Sequence, residues 1–228
     1  MKKTLLLTGA MLALTASLAS AAGLSLGWAV STAENTCPSS PTSLLDKTNA
    51  CNTNGGASVM IGSVVSPGIP NVVGELVVLD MQESGVATLS PWWNFDPING
   101  CRGNIPPANT PAASISTSFD PLNDEGLCLN LWQTTASSAA SYQPNYPSGG
   151  RARWAMSAAV SAGQDWLVGD EWYAFRMVID NRRTIGAGNC IGCLDGACFT
   201  FNIANINSGN LGGDRTLDNP AGHGQSVK

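Results

Sequence analysis

The chain has 228 residues, 43% of them hydrophobic and only 12% charged, with 25 Gly and 13 Pro. Soluble domains average about 25% charged residues, so this surface takes its polarity from Ser, Thr, Asn and Gly. The 11 Lys and Arg against 16 Asp and Glu give a net charge of −5; that excludes the basic footprint of a nucleic-acid binder, and the high apolar content excludes an acidic disordered chain.

Residues 1–21 read as a secretory signal. Lys2 and Lys3 form a short positive region, an apolar stretch runs from Leu5 to Leu18, and Ala19-Ser20-Ala21 is a small-x-small cleavage site. The stretch is short and broken by Thr and Gly, which suits export and not a membrane span. Residues 22–228 are then expected to form a single β-rich domain, released by a bacterium to the periplasm, the cell surface or the medium.

Strand patterns begin at once. Leu24, Leu26, Trp28 and Val30 alternate with small residues, a period of two. Gly23-Leu24-Ser25-Leu26-Gly27 matches the G-x-S-x-G nucleophile elbow, but that turn needs a strand before it and a helix after it. Here a strand pattern runs through it, and the one histidine, His223, lies in a Gly-rich tail. Ala57 to Val65 and Val72 to Met81 are Val-rich runs bounded by Gly or Pro. Pro91-Trp92-Trp93-Asn94-Phe95 follows. On an extended chain, Trp93 and Phe95 would enter the core and Trp92 would face the other way. There its indole could stack on a sugar ring, or pack under the loop from Gly100 to Pro111. Ile115, Thr117 and Phe119 alternate with serines.

Asp120, Asn123, Asp124 and Glu125 gather hard oxygen ligands that would suit calcium, although their spacing is not that of an EF-hand and a solvated acidic turn is the plainer reading. A short helix is expected between Leu127 and Ala140. Arg151 to Ala162 places Trp154, Met156, Ala158 and Val160 on one strand face. Glu171 to Asp180 does the same for Tyr173, Phe175, Met177 and Ile179, and Cys198 to Ile206 for Phe199, Phe201 and Ile203. Seven or eight short strands between turn-rich loops predict an all-β fold, a single antiparallel sandwich of jelly-roll-like or Ig-like type.

Seven cysteines in an exported chain predict disulfide bridges. Cys37 and Cys51 bracket one polar loop, Cys101 and Cys128 another, and each pair is expected to bond. Cys190, Cys193 and Cys198 form a cluster of three, in which Cys198 is expected to take one of the other two. The odd thiol is then free, joins a second chain, or pairs beyond Lys228; the last is preferred, since Asp214 to Lys228 shows no closing strand and suits a chain lacking its natural C-terminal end. Cys190-x-x-Cys193 sits in a Gly-rich loop and not at a helix start, so a structural bridge is favoured over a redox pair. Three cysteines without a fourth ligand do not predict zinc.

Trp92-Trp93-x-Phe95, Cys101-Arg102, Glu171-x-Tyr173-x-Phe175 and Cys190-x-Gly192-Cys193 together resemble a group of uncharacterised exported bacterial proteins. The resemblance implies export, cystine bridging and one β-rich domain, and no activity. Two function classes follow. The first is a non-enzymatic exported sandwich of the envelope or extracellular space, carbohydrate-binding through Trp92, with no cofactor beyond the calcium candidate. The second is a carbohydrate-active hydrolase whose paired carboxylates would come from Glu75, Asp80, Asp96, Asp165, Asp170 and Glu171.

Overall fold

A computed structural model describes residues 22–30, 37–38, 43–102, 115–119, 128–132, 137–218 and 226–227. The strands are β1 (Gly23–Trp28), β2 (Ala57–Val65), β3 (Ile69–Glu83), β4 (Ile115–Ser118), β5 (Ser137–Pro144), β6 (Arg151–Trp166), β7 (Glu171–Asp180), β8 (Ala197–Ser208), β9 (Arg215–Asp218) and β10 (Ser226–Val227). Among the described residues there is no helix. One sheet runs β1-β2-β7-β4 and the other β10-β8-β3-β6-β5, with β9 also on β8, and every pair is antiparallel. The fold is thus the predicted all-β, disulfide-bridged sandwich.

The short links 66–68 and 167–170 carry the chain from one sheet to the other, as does the longer loop 181–196. The inner faces interdigitate aromatics across the gap. Phe175 of β7 meets Phe201 of β8 at 5.2 Å, and Trp28 of β1 meets Phe199 at 5.7 Å. Phe175 lies so close over β2 that a Cβ on Gly62 would come within 2.2 Å of its ring, so only glycine fits beneath it. On one side β1 closes against β8, β9 and β10.

Period-two reading holds in β1 and β6 over Leu24, Leu26, Trp28, Trp154, Met156 and Ala158, all buried, whereas Val30 is exposed. It fails at Ile203. The register of β8 against β3 slips between Val78 and Leu79, and this bulge moves the inward positions from Phe199 and Phe201 to Ala204 and Ile206.

The expected helix over Leu127–Ala140 is replaced. Leu129 bridges to Trp172, and Ser137 onward is strand β5, whose hydrogen bonds come from β6 through a hairpin. Residues 133–136 lie outside the described set, as do residues 1–21, expected to be a signal, His223 and the calcium candidates Asp120, Asn123, Asp124 and Glu125.

Candidate functional site

Two expectations about the site residues are corrected by the structure. The first is Trp92, which is 0% exposed. The alternation argument fails because Pro91 to Trp93 form a turn, with Trp93 and Asn94 both donating backbone N–H to the Ser90 carbonyl. Both indoles therefore go inward and meet edge to face at 4.6 Å. Trp92 Nε1 donates to Thr184 Oγ1 at 3.0 Å, and Trp93 Nε1 to the Asp195 carbonyl at 2.8 Å. The Arg102 guanidinium, itself buried, covers the Trp92 ring at 4.1 Å and donates to the carbonyls of Trp92 and Asp180. Desolvation lowers the Arg102 pKa to about 10, against the pull of Asp180. Trp92 is a core residue and offers no ligand platform.

The second correction is the cysteine pairing. The bonds are Cys37–Cys128, Cys51–Cys193 and Cys101–Cys190, with Cα separations of 5.5, 5.7 and 5.8 Å, and Cys198 is free. Neither Cys37–Cys51 nor Cys101–Cys128 forms, because loops far apart in sequence meet beside the sandwich. Cys190 and Cys193 reach two different loops. Cys198 reaches neither, since Ala197 and Phe199 take the inward positions and Cys198 alternates outward on β8. Three cystines mark a protein of oxidising, extracellular type, and no helix among the described residues is long and apolar enough to cross a membrane.

The carboxylates are dispersed over different structural roles. Glu75 is buried, with neither oxygen hydrogen-bonded among the described residues. Asp96 accepts the backbone N–H of Ile98 and Asn99, and the Ile98 bond leads in lowering its pKa. Asp165 accepts the N–H of Asn71, and Glu171 accepts the Ser63 hydroxyl. Cys37, Cys128 and Glu171 lie close together, but both sulfurs are spent in the disulfide, so they do not form a metal centre. Asp170 meets Ser66 through its carbonyl. Ser25 and the G-x-S-x-G match lie inside β1, and neither Ala29 nor Val30 after it is helical.

Asp80 differs, because it lies in a cleft of about 210 Å³ on the outer face of the larger sheet. Strand alternation turns Asp80 and Gln82 of β3, Arg151 and Arg153 of β6, and Cys198 and Thr200 of β8 to this face. Asp80 stands directly opposite Arg153 on one side and Thr200 on the other, a cross-strand placement that favours opposite charges. Arg153 grips it side-on, Nε to Oδ1 at 2.6 Å and Nη2 to Oδ2 at 2.8 Å, and Asn202 Nδ2 adds a bond to Oδ2 at 2.8 Å. The Asp80 bonds hold the Arg153 pKa above its usual value. The guanidinium lies 4.6 Å from the Tyr146 ring centre, and Tyr146 with Pro147, from the β5–β6 turn, forms one wall of the cleft. Sequence reading named Asp80 only as one carboxylate among six and missed Tyr146, Arg151, Arg153 and Asn202. For the two arginines a signal was present in Arg151-x-Arg153, which carries charge where the next outward positions of β6, Ala155, Ser157 and Ala159, are small.

A second concavity, about 200 Å³, lies between Trp28, Trp93, Lys47 and the Cys51–Cys193 bridge. Several of its polar groups serve the fold: Asn49 accepts from Ser58, and the Asp195 carbonyl from Trp93. The chain matches none of the known protein-family profiles and none of the curated proteins.

Proposed function

We propose that the protein is exported to the bacterial envelope or extracellular space and binds glycan there without cleaving it, through the cleft at Asp80 and Tyr146. The observation that carries this reading is the fixed polar floor, in which Asp80 is held by Arg153 and Asn202 while Arg153 packs on Tyr146. Sugars are bound by preset amides, hydroxyls and charges beside an aromatic face. Tyr146 is 42% exposed, which leaves ring surface for such a contact, and Gln82 and Thr200 line the same hollow.

The geometry also weighs against the hydrolase alternative at this cleft. Glycosidases set two carboxyl groups about 5 to 9.5 Å apart, whereas Asp80 is the one carboxylate among the described lining residues and both its oxygens are engaged. A glycan array with the mature protein should give hits without release of reducing sugar. Tyr146→Ala and Asn202→Ala should each weaken binding roughly tenfold, or about 1.4 kcal/mol. Hits that survive both substitutions unchanged would remove the cleft from the function. Export predicts a mature N-terminus at Ala22, read directly by N-terminal sequencing of the extracellular fraction.

A further inference from the structure

We infer that the glycan taken by this cleft is acidic, carrying a hexuronate-type carboxylate that Arg151 binds. This rests on the glycan-binding reading above and adds the ligand's charge and chemical class to it. The inference follows from which groups are already committed. Asp80 has both carboxylate oxygens occupied, and its charge is matched by Arg153. Arg151 lines the same cleft, exposed, with no ion-pair partner among the described residues. Arg153 uses Nε and Nη2 on Asp80 and leaves Nη1 uncommitted among the described residues. The cleft therefore carries one uncompensated positive charge in a chain whose net charge is −5.

The donor inventory points the same way. Arg151 brings five N–H groups and no acceptor, and the Gln82 amide and Thr200 hydroxyl add further donors. Arg151 and Arg153 are two residues apart on one strand face, roughly 7 Å along β6, so a group seated over Arg151 lies next to the free Nη1 side of its neighbour. A planar carboxylate matches the fork of a guanidinium with two parallel hydrogen bonds, which a sugar hydroxymethyl does not. A ring carrying that carboxylate can then lie toward Tyr146 and Pro147.

The test compares galacturonate oligomers with galactose oligomers of equal length, which differ at C6 alone, within a wider panel of acidic and neutral glycans. Titration calorimetry at low salt should show the acidic oligomers binding about tenfold tighter. That advantage should shrink as salt is raised. Arg151→Gln should abolish the preference and Arg151→Lys should keep part of it, while Lys47→Gln, which removes the same charge elsewhere, should leave it intact. Hits confined to neutral glycans, or a preference that survives both high salt and Arg151→Gln, would overturn the inference while the glycan reading stands. The salt series and the acidic-neutral comparison use the wild-type protein, so they decide the matter even if a variant misfolds. Absence of any hit across the panel would overturn both readings.

Discussion

Trp92 and Trp93 are neighbours in sequence and both interior, which only the turn at Pro91 makes possible. Removing either indole leaves a large cavity, so Trp92→Ala is expected to cost about 3 to 5 kcal/mol, as is Trp93→Ala. Urea unfolding measures both, and a cost under about 1 kcal/mol for Trp92 would return it to the surface. Glu75 makes a different prediction. It is 2% exposed with no partner on either oxygen among the described residues, and desolvation raises its pKa well above the ordinary glutamate value. The folded protein keeps this proton after the unfolded chain, with a pKa of about 4.3, has released it. The contribution to stability is complete below that unfolded pKa and is lost as pH rises through the folded one. Glu75→Gln removes the titration, so its stability relative to wild type should improve as pH rises above about 4, until the folded-state carboxyl has also ionised. Identical pH dependence of the two unfolding free energies would show that Glu75 does not titrate differently on folding.

Among the elements, the loops carry the least obvious information. The three bridges span 91, 142 and 89 residues of sequence. Loops of that size have a chain-entropy limit of about 5 kcal/mol each, with 2 to 4 kcal/mol the usual measured range. Mass spectrometry of the non-reduced protein should link Cys37 to Cys128, Cys51 to Cys193 and Cys101 to Cys190, with Cys198 alone alkylated. The double variant Cys51→Ala/Cys193→Ala should lose 2 to 4 kcal/mol, and a loss near zero would mean the bridge only records proximity that packing already enforces. Strand identity was legible from alternation, because a half-buried strand writes its two faces into the sequence at period two. Three things were not. The β8 bulge that demotes Ile203 has no local signature. The Ala139-Ala140 pair reads as helical until β6 arrives to pair with it. Which loops meet is fixed by sheet order, and no spacing between cysteines encodes sheet order.

At the scale of the whole molecule the candidate cleft was the least legible feature. Its residues come from three strands and a turn, Asp80, Tyr146, Arg151 and Asn202, and become neighbours only when β3 is flanked by β6 and β8. Each alone is an ordinary surface residue. The sandwich also separates its sulfur chemistry. Six cysteines are locked in bridges that tie loops together, and the seventh, Cys198, opens onto the cleft across from Arg151. That gives the native protein a reporter that needs no engineering. The rate at which a thiol-selective reagent labels Cys198 measures how often the hollow is vacant, so a compound seated there should slow the labelling in proportion to occupancy. Screening can then proceed by footprinting, on unmodified protein, before any ligand has been identified.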